Sequence, residues 1–293
     1  TCKVALAYSG HVRSFAHPRV YLSHMKHLVE PLRDGEGCQV DIFMYLSVED
    51  EVDPSRRKGG VHSNALAFES YTPDEDALER VLHLFKPVSV VYHQQEQAGY
   101  IRNPACAESC HANAYWQLYK MAAVHRMVER HEEETGQRYT WVVRSRLDIG
   151  WMRPLAPLRR FPQTRIYVGH NFFPIADQFA LCPRQYSPSF FGAIALCFSC
   201  PDLQSVAATG VSAQTEHLLW AALRRASAPY GYYEFPLAIV RYHEGGVCHP
   251  LHPYKLACPM LEMAGLLTTG WDSTRCSELV TRWHRGACYD MFP

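Results

Sequence analysis

Tyr139–Asp148 (YTWVVRSRLD) decides how the rest of the chain is read. It begins with aromatic and β-branched residues, which suit a pleated, buried surface, and ends in two arginines and an aspartate. As a strand it puts Val142, Arg144, Arg146 and Asp148 on one side, because side chains alternate along extended backbone. Charged groups at the mouth of a sheet are costly to desolvate unless they pair or meet a ligand. Two readings follow. Either an internal Arg–Asp salt bridge ties down the strand end, or the carboxylate holds a divalent metal on a diphosphate while an arginine contacts phosphate.

Upstream, Lys3–Tyr8 (KVALAY) predicts a short buried strand closed by Ser9-Gly10. Val20 to Leu32 has helical spacing, with Tyr21, Met25, Leu28 and Leu32 along one face. Val40–Leu46 (VDIFMYL) predicts a second strand. Thr72-Pro73-Asp74-Glu75 reads as a capped helix start, followed by Leu78, Val81, Leu82 and Phe85 on one side. Val88–Tyr92 is a third strand. A long helix from Asn113 to Thr135 comes next, with Trp116, Tyr119, Ala123 and Met127 as its inner stripe and Gly136 as its stop. Tyr139–Arg146 is then the fourth strand. Strands alternating with helices predict a mostly parallel sheet covered on both faces. Such sheets bind ligands at the carboxyl ends of their strands, where the strand order switches. Ser9–Arg13 and Arg144–Asp148 are expected there.

Beyond Pro154 the pattern changes. Short strands are expected at Arg165–Val168, Gln178–Cys182 and Ala193–Phe198, then a helix near Gln214–Arg225. The tail from Ala228 is rich in Pro, Gly, Tyr and His and reads as irregular. The expected organisation is one domain over 1–293, with 1–150 as a nucleotide-binding half and 151–293 as an acceptor-side half.

With 293 residues, 47% of them hydrophobic, the chain can bury a large α/β core, which excludes disorder. Lys plus Arg and Asp plus Glu balance at 29 each, so the formal net charge is zero and nucleic acid is not the expected partner. A small anion needs only a local positive patch. No apolar run approaches the ~20 residues of a membrane span; the longest, Phe190–Phe198, is broken by Gly192. The chain opens at Thr1 directly into strand-like sequence, so a signal or anchor is expected to have been removed or never to have existed. Eleven cysteines predict mainly buried thiols with a few disulfides, and structural zinc as the rarer alternative. Only four Asn occur and none lies in an Asn-x-Ser/Thr sequon.

Ser9-Gly10-His11-Val12-Arg13-Ser14 is a small-residue turn after a buried strand, where a ligand can approach backbone N–H groups and Arg13 can neutralise phosphate. A turn with Gly is also simply a turn. Neither the P-loop pattern nor Gly-x-Gly-x-x-Gly is present, which disfavours ATPases and ordinary dehydrogenases. Asp177 precedes an apolar strand and follows Phe172-Phe173-Pro174-Ile175, which suits a pocket wall; it is a candidate general base, or a turn cap. Glu216 lies in the first turn of a helix, where a carboxylate also suits the dipole. His243, His249 and His252 form a loose cluster able to supply a late metal ligand.

In combination, Val4–Phe15 (VALAYSGHVRSF), Val40–Leu46 (VDIFMYL), Tyr115–Lys120 (YWQLYK), Tyr139–Asp148, Asp177–Leu181 (DQFAL) and Thr215–Leu219 (TEHLL) resemble a broad group of glycosyltransferases. These occur in algae, plants, large algal viruses and bacterial polysaccharide clusters, and the likeness spans residues 3–225. It implies a GT-A-like α/β fold, with a mostly parallel central sheet flanked by helices and an irregular C-terminal part. It also implies a metal-binding Asp-x-Asp after a central strand. This chain departs from that pattern with Arg146-Leu147-Asp148. On the resemblance, Ser9, Gly10, Arg13, Arg144 and Arg146 line the donor site. Asp148 meets a divalent metal (Mn2+ or Mg2+), and Asp177 faces the acceptor with Glu216 as second candidate for base. The implied partners are a UDP- or GDP-sugar and a glycan or glycoconjugate acceptor, in the Golgi lumen or the cytoplasm. A non-catalytic carbohydrate- or nucleotide-binding protein on the same fold, and a nucleotidyltransferase, are the alternatives.

Overall fold

The structure is a computed structural model that describes residues 2–49, 75–94, 110, 112–169, 175–207 and 214–239. Thr72–Asp74, Phe172–Pro174 and the His243, His249 and His252 cluster lie outside the described residues.

Seven strands form the main sheet: β1 (Lys3–His11), β2 (Gln39–Glu49), β3 (Ser89–Gln94), β4 (Trp141–Ser145), β6 (Ile166–Val168), β7 (Phe179–Pro183) and β8 (Tyr230–Tyr232). Their order is β3-β2-β1-β4-β7-β6-β8. The first four run parallel, and β7 alone runs against the rest. A second, two-stranded sheet pairs β5 (Ile149–Trp151) with β9 (Leu237–Ile239). The chain moves outward from β1 to β3 and returns to β4 on the other side of β1. The switch in strand order therefore lies between β1 and β4, where an open α/β sheet binds its ligand.

Alternation along β1 divides the core into two layers. Val4, Leu6 and Tyr8 join Phe15, Val20, Leu28, Phe85 and Trp151 on one face. Ala5 and Ala7 join Phe43, Leu118, Val124, Phe190 and Leu219 on the other. The second face carries α3 (Ala112–Thr135), α4 (Ser187–Phe191) and α6 (Thr215–Arg225). The first carries α1 (Pro18–His24) and α2 (Glu75–Phe85). The small side chains of Ala5 and Ala7 let α3 lie close over β1, which brings one face of that helix to the switch point. A further helix among the described residues is α5 (Cys200–Ala207).

Several expectations need correction. β1 continues through Ser9 and Gly10 to His11, because pairing with β2 holds it as far as Ser47. The helix expected over Val20–Leu32 is α-helical only to His24 and then follows π-type turns at Met25–Val29 and Pro31–Gly35. α3 buries Leu118, Met121, Val124 and Val128 most deeply, whereas Tyr119 and Met127 are only partly buried. Gly192–Phe198 is a 3-10 helix rather than a strand, since a short apolar run carries no period that separates the two. The tail contains β8 and β9, three residues each, too short to leave an alternation in the sequence.

Among the described residues, disulfides take the place of most of the expected free thiols. Cys2–Cys38 joins the starts of β1 and β2, and Cys110–Cys197 joins α3's approach to the 3-10 helix. Cys200 is also disulfide-bonded, and Cys182 is a buried free thiol. Among the described residues no single helix is long and apolar enough to cross a membrane.

Candidate active site

β4 ends at Ser145, so Arg146 turns out of the strand instead of continuing its alternation. Its backbone N–H bonds the Gln178 carbonyl at 2.9 Å, which fixes the turn against the approach to β7. The guanidinium then grips Asp148 with both arms: Nε donates to Oδ1 at 2.8 Å and Nη2 to Oδ2 at 2.7 Å. Its remaining arm, Nη1, donates to Asp177 Oδ2 at 2.9 Å. Asp177 reaches this point because Phe179 pairs with Ser145, which leaves the residues before β7 beside the turn after β4. Both carboxylates are buried, Asp148 to 5% and Asp177 to 2% exposure. Burial works against the charge of Arg146, but Asp148 and Asp177 outweigh it and raise its pKa.

Two helices complete the network. Gln117, in α3, donates its amide to the same Asp177 oxygen. Thr215, the first residue of α6, donates its hydroxyl to Gln117 Oε1 at 3.2 Å. The other Asp177 oxygen, Oδ1, is buried and has no hydrogen-bond partner among the described residues. Glu216 follows Thr215 and is half-buried. Burial, and then the charge of Asp177, push its pKa up to about 7, with its own backbone N–H and Arg146 pulling the other way. A carboxylate poised near neutrality is suited to proton transfer.

Arg144 occupies a different position from Arg146. It is 1% exposed, and its Nη1 donates to the Ser9 carbonyl at 3.0 Å and to the Ser145 carbonyl at 2.6 Å. It locks the ends of β1 and β4 together from inside the fold. Burial, then the neighbouring Arg146, pull its pKa down to about 9, partly offset by Asp177 and Asp148. The expectation that Arg144 and Arg146 share one side of a strand therefore fails, because the strand stops between them.

The β1 end supplies the other wall. Gly10 has φ +142°, a conformation that L side chains rarely adopt. The Ser9 hydroxyl is buried without a partner among the described residues. Arg13 opens the 3-10 turn Arg13–Ala16 immediately after β1. Across from His11, Lys120 of α3 is 2% exposed, and its Nζ lies 3.0 Å from His11 Nε2. Ser9, Gly10, Arg144, Arg146, Asp148, Asp177 and Glu216 thus gather around the ends of β1, β4 and β7, with Arg13 one turn beyond β1.

Solved structures similar to this chain include two glycosyltransferases. One is a glycosyltransferase involved in the glycosylation of the major capsid of PBCV-1; it is 8% identical over 80% of this chain and 82% of its own, with a TM-score of 0.38. The other is mouse xyloside xylosyltransferase 1 in its apo form, 6% identical over 79% of this chain and 84% of its own, also with a TM-score of 0.38. No family model matches the sequence, and no curated protein does. Likeness this distant carries no weight for function; the chemistry of the site has to.

A divalent metal does not fit the described residues of the site as they stand. Such an ion takes about six oxygen ligands. Both oxygens of Asp148 are engaged by Arg146, and one oxygen of Asp177 by Arg146 and Gln117. Among the described residues no group of three or more His, Cys, Asp or Glu is placed to hold an ion.

Gln117, Lys120 and Thr215 were not singled out from the sequence as site residues. Their signal was present, since they belong to the YWQLYK and TEHLL segments. A helix face is read as core when its polar residues lie between aromatic ones, and this one points two polar side chains, Gln117 and Lys120, three residues apart, at the sheet's mouth.

Proposed function

We propose that this chain is a GT-A-like glycosyltransferase that moves a sugar from a UDP- or GDP-sugar to a hydroxyl of a glycan or glycoconjugate acceptor. The observation that carries this reading is the buried Arg146–Asp148–Asp177–Gln117 network beside Glu216, at the strand-order switch. In this reading residues 1–150 form the donor half and 151–293 the acceptor-side half of one domain. Ser9, Gly10 and Arg13 receive the diphosphate at the end of β1, with Lys120 adding positive charge behind them. Arg144 and Arg146 hold the floor of the site.

Transfer breaks the bond between the anomeric carbon and the diphosphate oxygen, and negative charge grows on the leaving group as it departs. Fixed cations stabilise that charge without reorganising during the reaction. The acceptor hydroxyl forms the new bond to the anomeric carbon and loses its proton to a carboxylate. Glu216 suits this role better than Asp177: it is less deeply buried and poised near neutrality, whereas Asp177 is buried and ion-paired. Asp177 then orients Arg146 and Gln117. The disulfides Cys2–Cys38 and Cys110–Cys197 favour an oxidising compartment such as the Golgi lumen over the cytoplasm.

The test is incubation with UDP- and GDP-sugars, with and without a glycan acceptor, followed by detection of the released nucleoside diphosphate. Release from at least one donor, accelerated by an acceptor, is expected. Binding without any turnover across the panel would replace this reading with a non-catalytic nucleotide-sugar-binding protein.

A further inference from the structure

We propose that Arg146 occupies the place of the divalent cation, so that this site binds a nucleoside diphosphate without a metal. The inference rests on the donor-site reading above and concerns what neutralises the site's carboxylates. Asp148 and Asp177 are the aspartates of the network, and a single guanidinium binds both oxygens of the first and one oxygen of the second through three hydrogen bonds of 2.7–2.9 Å. An ion entering between them would have to displace that guanidinium. The displaced group would then be a charge without a partner at a position only 19% exposed.

Geometry favours the guanidinium further. Its planar fork matches a carboxylate with two parallel hydrogen bonds, which a point-like ammonium or a metal ion does not reproduce. The fork is held from behind: the Arg146 backbone is pinned to Gln178, and Gln117 fixes the Asp177 oxygen that the third arm uses. Formal charges support the same assignment. Arg146 with Asp148 and Asp177 leaves one negative charge, which Arg144 cancels; Lys120 beside His11 adds a positive charge, which Glu216 offsets only as it deprotonates around pH 7. Arg146 is thus a positioning residue: it holds the two carboxylates closed and lets fixed side chains, rather than an ion, face the diphosphate.

The experiment is calorimetric titration of the protein with UDP and with GDP, in EDTA and in Mn2+. The wild type is expected to bind at least one of them with the same affinity in both buffers. Arg146→Asp places a second carboxylate two residues before Asp148, and its binding is expected to become stronger in Mn2+ by about tenfold or more. Because that variant also loses a buried cation, Mn2+ alone is titrated into the wild type and followed by electron paramagnetic resonance. The free-ion signal should remain at its buffer amplitude. Stoichiometric capture of Mn2+ by the wild type, or nucleotide binding only in Mn2+, overturns the inference while leaving the donor site intact. Failure of UDP and GDP to bind in either buffer overturns the donor site, and this inference with it.

Discussion

An arginine flanked by two carboxylates stands at each end of the β4–β7 pair. At the far end from the candidate site, Arg184 follows β7 and donates to Glu132 of α3 through Nε at 2.9 Å and Nη2 at 2.6 Å, with Glu129 at 3.6 Å. That cluster is closed. Glu132 also accepts from the Tyr139 backbone N–H, and Arg184 Nη1 donates to Ser187, which meets His125. The cluster clamps the end of α3, the turn into β4 and the turn into α4, and each of these polar groups has a partner. The Arg146 cluster uses the same pairing but leaves it open. One Asp177 oxygen is buried without a partner among the described residues, and Glu216 beside it is held near neutrality. Pairing chemistry alone does not mark a site. What marks it is polar capacity left over after the pairing, at the switch point of the sheet.

The sharpest way to break this comparison is to remove the two carboxylates that differ most. Glu216→Gln should lower turnover by ~10²–10⁴-fold, the usual contribution of a general base, with nucleoside diphosphate affinity little changed. Glu132→Gln, at the closed cluster, should leave turnover per folded molecule unchanged. Steady-state rates on the two purified variants check this, and equal losses would erase the distinction.

Arg184→Met should act on stability. Removing one partner of a buried pair costs about 3–5 kcal/mol, and here the lower end applies because the Glu129 side chain is already partly in solvent. Thermal unfolding should show a clear fall in Tm while UDP or GDP binding survives. A variant that keeps its Tm but loses nucleotide binding would make the closed cluster part of the site.

The two glutamates should also titrate in opposite senses. Burial of Glu132 works to raise its pKa, but the Arg184 and Tyr139 hydrogen bonds outweigh it and hold it below the usual value. Its stabilisation is therefore present above the ordinary glutamate range and lost as pH falls through the lower folded value. Glu216 is raised to about 7, so the folded state holds its proton longer than the unfolded one. Its contribution to stability falls as pH rises from the ordinary glutamate range to about 7, and is flat above that. Turnover should rise over the upper part of that window as the base deprotonates, and Glu216→Gln should abolish the rise. Activity against pH for both proteins measures it.

The smallest expected effect is at Arg13. Arg13→Ala should weaken nucleoside diphosphate binding by about tenfold, in line with the loss of a charge-assisted contact, with no change in the Tm of the ligand-free protein. An unaltered Kd would remove Arg13 from the site.

The sequence was legible where a strand carries a long apolar run. β1, β2, β3 and β4 were all expected near their observed positions, and so was the switch point their order creates. It was misleading where pairing or packing decides. Ala193–Phe198 could serve as strand or helix until α3 and α6 enclosed it as a 3-10 turn. Strands β8 and β9 owe their existence to partners β6 and β5. At the site, Arg146 with Asp148 was legible as a pair two residues apart. The end of β4 at Ser145, which separates Arg144's structural lock from Arg146's ion pairs, depends on contacts to Ser9 and Gln178 that no local pattern encodes.

The most direct test of the donor site is amide hydrogen exchange of the wild type with and without saturating UDP or GDP. Ligand should slow exchange at residues 9–16 and 145–149, the ends of β1 and β4, and leave 129–139 and 184–187 unchanged. Protection confined to the Arg184 end of the sheet, or absent from both β1 and β4, would contradict the account.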